Sequence, residues 1–161
     1  MRKTSESVGA TPESVVDALG LGPKVTFDEL LAVVARAHGK PIELLEVPNS
    51  VIPTVTGLWV EKDQKSVILL PQEDNQLHRT HAICHEFGHM LLQHDGCGAP
   101  VAPMPSIFQH VGMRGGIKRM LARSLHWNEA ELAAERVAYL LSRLLLHDEP
   151  ATTSEFERTF V

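Results

Sequence analysis

The chain has 161 residues and a mass of 17.8 kDa, which is the size of one domain with at most a short appendage. Apolar residues make up 43% and charged residues 22%, so global disorder, a collagen helix and a coiled coil are excluded for the chain as a whole. The net charge of −5 argues against a surface that coats nucleic acid. Histidine stands out, because four of the nine fall between residues 78 and 89.

The cysteine content and the first residues of the chain bear on its compartment. Two cysteines, Cys84 and Cys97, are too few for a disulfide framework, and no run of 18 apolar residues is present. The stretch from Met1 to Glu6 lacks the apolar core of a secretory signal. These features predict a cytoplasmic protein with two free thiols and no membrane span.

The first part of the chain contains two helical patterns. Thr11 and Pro12 supply a hydroxyl cap and a proline at the first helical position, which predicts a short helix. Thr26 and Glu29 have the spacing of a capping box, and apolar residues at helical spacing follow them. We therefore expect a second, longer helix to begin at this box.

The middle of the chain changes to the pattern of β-strands. Residues 42–47 predict one strand. Residues 57–61 and 66–70 flank a polar turn and predict a β-hairpin.

The second half of the chain predicts two more helices and a loop. The pattern of residues 75–93 indicates a long helix, and the glycines and prolines of residues 96–116 indicate a loop or lid. A short basic segment, residues 117–124, is expected to be helical. Asn128 is placed to cap the last helix.

These elements together predict one α+β domain. The main domain spans residues 26–147, with an N-terminal extension carrying a short helix over residues 1–25 and a tail over residues 148–161. Within the domain, a short, mostly antiparallel sheet is expected to pack against the long helix and the last helix.

A metal-binding motif lies within the predicted long helix. Residues 85–89, HEFGH, match H-E-x-x-H, in which histidines at positions i and i+4 point to one side of a helix and can share a metal ion. Glu86 lies beside that face and is the candidate general base. His78 and His81 fall on the same face, either as plain surface residues or as groups that orient a ligand or stabilise an oxyanion.

A catalytic zinc site needs three protein ligands, so the third must come from outside the motif. Glu131 and Glu135 are one turn apart on the last helix and have no basic residue three or four positions away, so a nearby cation would relieve their repulsion. We assign Glu131 as the ligand and Glu135 as the acceptor that orients a ligand histidine. His94 and Cys97 are competing third ligands, and closure by Cys97 would make the zinc structural.

The two motifs together resemble the ImmA/IrrE family of small gluzincin-type metallopeptidase domains. The resemblance rests on residues 77–92 (LHRTHAICHEFGHMLL) and 131–141 (ELAAERVAYLL), with the strand at residues 57–60 ahead of them. It covers roughly residues 26–146. What it implies is a zincin-like fold and a zinc-dependent endopeptidase.

The resemblance also assigns roles to individual residues. It implies that His85, His89 and Glu131 bind zinc and that Glu86 is the general base. The position that orients a ligand histidine is often Asn or Asp in this family, whereas this chain has Glu135. The implied substrate is a specific protein such as a helix-turn-helix transcriptional repressor, and an extended segment of it could pair with the free side of the predicted hairpin.

Two other classes of function compete with a peptidase. A zinc-binding anti-repressor or partner-binding module would keep the metal and act without cleavage. A DNA-binding regulator would explain the two N-terminal helices, but residues 1–40 carry five basic and five acidic residues and no basic recognition face. The same ligands would also accept another divalent metal.

Overall fold

The computed structural model of the chain describes residues 9–50, 57–93, 117–122 and 129–146. Within these ranges the chain is α+β, as predicted, with four helices and one four-stranded sheet. The helices are α1 (Pro12–Asp17), α2 (Phe27–His38), α3 (Gln76–Leu91) and α4 (Glu129–Leu146). The strands are β1 (Ile42–Val47), β2 (Leu58–Lys62), β3 (Ser66–Pro71) and β4 (Ile117–Ala122). None of the described helices is both long and apolar enough to cross a membrane.

Several predictions concern residues outside the described ranges. They are the loop or lid over residues 96–116, the Asn128 cap, the tail over residues 148–161, and the alternative ligands His94 and Cys97. These stay predictions.

Local side-chain contacts set where the helices begin. The predicted capping box is present at α2, where the hydroxyl of Thr26 accepts from the backbone N–H of Glu29 and the carboxylate of Glu29 accepts from the N–H of Thr26. At α3, the side-chain oxygen of Asn75 accepts from the N–H of His78 at 2.8 Å. Helix α2 ends at Gly39, whose φ of 85° is favourable only for glycine.

The strand order in the sheet is β1-β3-β2-β4. Strands β2 and β3 form the predicted antiparallel hairpin, with Leu58 opposite Leu69 and Val60 opposite Val67. Strand β1 pairs with β3 in parallel, and β4 pairs with β2 in antiparallel orientation. Two of the three pairings are therefore antiparallel, in agreement with the predicted sheet.

The prediction of a helix over residues 117–124 is wrong. Residues 117–122 of this segment form strand β4 instead, and Met120 lies opposite Val60 of β2. Strand β2 is buried, so the backbone groups on its second side need hydrogen-bond partners. Pairing with β2 therefore outweighs the local preference of the segment.

The expected free side of the hairpin does not exist. Strand β1 covers the outer side of β3, and β4 covers the outer side of β2, so the hairpin lies at the centre of the sheet. A peptide strand cannot pair with a strand that is already paired on both sides. Within the described residues, the open edges of the sheet belong to β1 and β4.

The core lies between the sheet and the helices and is mostly aliphatic. Buried residues from α2, β2, β3, α3 and α4 form one cluster, with Leu30, Ile68, Phe87 and Leu141 fully buried. Helix α3 is buried from residue 82 to residue 90, which includes the whole H-E-x-x-H motif. The ionisable side chains of the motif therefore need partners inside the protein.

Candidate metal centre

Helices α3 and α4 approach closely at a glycine. A Cβ placed on Gly88 would lie 2.7 Å from the carbonyl oxygen of Ala134 and 2.9 Å from its Cα, so any side chain there would push the helices apart. The close approach brings the face of α3 that carries His85 and His89 against the face of α4 that carries Glu131.

Three buried side chains meet between these helices. His85, His89 and Glu131 are 3%, 1% and 8% exposed. Nε2 of His85 lies 3.1 Å from Oε2 of Glu131 and 3.2 Å from Nε2 of His89, and Nε2 of His89 lies 3.4 Å from Oε1 of Glu131. Among the described residues, these side chains form the one group whose donor atoms converge closely enough to hold a metal ion.

The spacing of the donor atoms fits a small tetrahedral cation. Ligands bound about 2.0–2.1 Å from a tetrahedral zinc ion are separated from one another by about 3.3 Å. The two imidazole nitrogens, 3.2 Å apart, agree with that value, and each of them lies 3.1 to 3.4 Å from a different carboxylate oxygen of Glu131. Two imidazoles and one carboxylate are also a donor set that zinc accepts, and three protein ligands would leave one tetrahedral position open.

Glu135 contacts the opposite side of the His85 ring. Oε2 of Glu135 lies 2.9 Å from Nδ1 of His85, and because a carboxylate only accepts hydrogen bonds, Nδ1 carries the proton. With the proton on Nδ1, His85 as a metal ligand would present the lone pair of Nε2 on the side of Glu131 and His89. The two glutamates thus contact opposite nitrogens of His85, and their roles toward a metal stay predictions.

The surroundings of Glu135 keep its carboxylate ionised. Burial alone raises the pKa of Glu135, but hydrogen bonds and positive charge from His81, and then from His85, outweigh burial, so the pKa lies below its usual value. Nε2 of His81 lies 2.8 Å from Oε1 of Glu135. One carboxylate therefore holds two histidines of α3, with one oxygen for each.

Glu86 and His78 have very different positions. Glu86 is buried, and the start of β2 packs beside it, since a Cβ on Gly57 would lie 3.6 Å from Oε1 of Glu86. His78 is half exposed and contacts Asp74 at 2.8 Å, so the structure does not bring it into the metal centre. The packing of Gly57 beside Glu86 was not predicted, although a glycine directly before a buried strand is a signal for close packing.

Comparison of the chain with protein-family models, curated proteins and solved structures gives no match. The site between α3 and α4 has three buried converging donors, a buried carboxylate from the same motif, and a second carboxylate that contacts one imidazole. It is a candidate metal centre in an α+β domain.

Proposed function

We propose that the protein is a zinc-dependent endopeptidase with a zincin-like domain, as the resemblance to the ImmA/IrrE family implies. The observation that supports it most is the convergence of the Glu131 carboxylate on the imidazole nitrogens of His85 and His89. The described residues bring three ligands together here, which is the number of protein ligands that a catalytic zinc site uses.

The proposed mechanism gives each side chain one task. Zinc, when bound, would supply Lewis-acid chemistry that activates water and polarises the scissile carbonyl. Glu86 accepts the proton of the attacking water, whose oxygen bonds to the carbonyl carbon. The C–N bond then breaks, and Glu86 passes the proton to the leaving amine. Glu135 meanwhile holds His85 in one tautomer and one orientation.

The proposed substrate is a protein, specifically a DNA-binding repressor in the cytoplasm. The net charge of −5 favours contact with a basic protein over contact with nucleic acid. An extended substrate segment could pair with the outer edge of β4, because Ala122 of β4 lies opposite Leu58, next to the Gly57 that packs beside Glu86. This edge replaces the side of the hairpin that was expected from the sequence.

Glu86→Gln tests the proposal. We expect the variant to bind one equivalent of zinc like the parent and to cleave at least 100-fold more slowly, since it keeps the shape of the site but loses the base. The assay incubates zinc-loaded protein with the helix-turn-helix proteins encoded beside it and detects new termini by mass spectrometry. Glu73→Gln is the matched control, because the side chain of Glu73 is exposed.

The outcomes separate the peptidase from a binding module. Cleavage by the parent and the control but not by Glu86→Gln supports the peptidase. Full activity of Glu86→Gln would contradict the assigned base. In a third outcome, the parent binds zinc and inactivates the repressor without cleaving it, and Glu86→Gln is equally effective. That result would identify a non-catalytic anti-repressor rather than a peptidase.

A further inference from the structure

We infer that His81 is a positioning residue of the metal centre, which acts through Glu135 to hold His85 in its metal-binding orientation. The inference rests on the metal site that the proposed function requires. His81 lies four residues before His85 on α3, so the two imidazoles point to the same side of the helix. Both reach the same carboxylate on α4, at 2.8 Å and 2.9 Å.

The position of Glu135 explains why a second contact matters. Its side chain is 32% exposed, whereas that of Glu131 is 10% exposed. A partly exposed glutamate keeps rotamer freedom and exchanges hydrogen bonds with water, so each additional protein donor restricts its orientation further. The contact with His81 occupies the other oxygen and fixes the plane of the carboxylate.

The hydrogen-bond roles are determined by the carboxylate. Both oxygens of Glu135 only accept, so Nε2 of His81 and Nδ1 of His85 are the donors. The Nε2 proton of His81 is therefore committed to Glu135 and is not available to a substrate oxyanion. Of the two roles that the sequence left open for His81, the geometry favours orientation of a ligand.

Metal affinity tests the role of His81 independently of peptidase activity. Zinc affinity is measured by competition with a chromogenic chelator, and the ligand field is measured from the visible spectrum of the Co²⁺-loaded protein. We expect His81→Ala to weaken zinc binding about tenfold or more, as loss of outer hydrogen-bond partners typically does, and to shift the Co²⁺ bands. His81→Gln retains an N–H donor and should recover most of both properties.

His78→Ala is the matched control on the same helix. His78 also pairs with a carboxylate, that of Asp74, but it does not contact Glu135. Its replacement should leave zinc affinity within twofold of the parent. If His81→Ala does not fold, His81→Leu takes its place in the comparison with His81→Gln.

A double substitution shows whether His81 acts through Glu135. In a Glu135→Ala background, His81→Ala should change zinc affinity by less than twofold, because the effect of coupled residues is not additive. Parent-like affinity of His81→Ala, or an equal loss in both backgrounds, would overturn the inference. If the parent binds zinc fully but cleaves nothing, only the proposed peptidase activity is overturned. If the parent binds no zinc, both the proposed activity and the role of His81 are overturned.

Discussion

Burial of a polar side chain costs free energy unless the side chain is paired, so the few buried polar residues of the described chain are informative. They are Ser66, His85, Glu86, His89 and Glu131. The hydroxyl of Ser66 accepts a hydrogen bond from the indole N–H of Trp59 at 3.1 Å and contacts His38 at 2.7 Å, so these partners account for its burial. The other four lie in or beside the candidate metal centre. Such a concentration of buried ionisable groups is typical of functional sites.

The buried thiol of Cys84, next to His85 in sequence, leads to a prediction about how stability depends on pH. Cys84 is fully buried, and burial raises the pKa of its thiol to about 12 from its ordinary value of 9.0. As the pH rises above 9, the unfolded chain loses the thiol proton while the folded chain retains it. The folded state then binds more protons, so the free energy of unfolding must fall as the pH increases from about 9 to 12.

We expect Cys84→Ala to remove this dependence. Relative to the variant, the parent should lose about 1.4 kcal/mol of stability for each pH unit once the unfolded thiol is fully ionised. The measurement is urea unfolding of both proteins at several pH values between 8 and 11, in a Cys97→Ser background so that only one thiol differs. A stability difference that does not change with pH would contradict the buried, protonated thiol.

At the level of elements, the contact between α3 and α4 decides whether the donors converge. In an isolated helix, replacing glycine by alanine is favourable by about 1 kcal/mol. At Gly88 the new Cβ would instead meet the backbone of Ala134 at 2.7 Å, and a backbone cannot move aside cheaply. The steric clash should therefore outweigh the gain in helix propensity, so that alanine at this position destabilises the fold.

We expect Gly88→Ala to lower the free energy of unfolding by about 1–3 kcal/mol. Zinc affinity should fall as well, because separation of the helices moves Glu131 away from the two histidines. Gly22→Ala is the matched control, since a Cβ at Gly22 would meet nothing within 4 Å. Urea unfolding and zinc competition measure both effects, and a Gly88→Ala protein equal to the control in both would disprove the close contact.

The sequence predicted the elements whose signals are local. The cap at Thr26 depends on a contact with a residue three positions away, and the hairpin depends on a short polar turn. Both could therefore be predicted without knowledge of the fold. Strand β4 could not, because its conformation depends on pairing with β2, some 60 positions earlier in the chain. The central position of the hairpin was missed for the same reason.

The same distinction applies to the site. The helical spacing of His85 and His89 is local, and the sequence also shows that no basic residue lies three or four positions from Glu131 or Glu135. The contact of Glu135 with His81 depends on how α3 and α4 cross, which spacing does not specify. Sequence therefore indicated the candidate donors, whereas the contact between His81 and Glu135 became visible only in the structure.

In the molecule as a whole, the candidate metal centre joins distant parts of the chain. Glu131 lies on a different helix from the two histidines, and even His89, the closer of the two in sequence, is 42 positions away. The unfolded chain does not hold these donors together, so a metal bound between the helices stabilises the folded state selectively. Metal binding should therefore be measurable as a change in global stability.

We expect removal of zinc with a chelator to lower the melting temperature. Free zinc at 100 times its dissociation constant would contribute about 2.7 kcal/mol, which corresponds to roughly 5–11 °C for a chain of this size. Glu131→Ala should abolish the zinc-dependent shift, whereas Glu129→Ala, an exposed glutamate on the same helix, should retain it. Mg²⁺ should produce no shift, because it prefers oxygen ligands in octahedral geometry. Because adventitious zinc on surface histidines would not respond to Glu131, a shift that survives Glu131→Ala would refute the proposed ligand set.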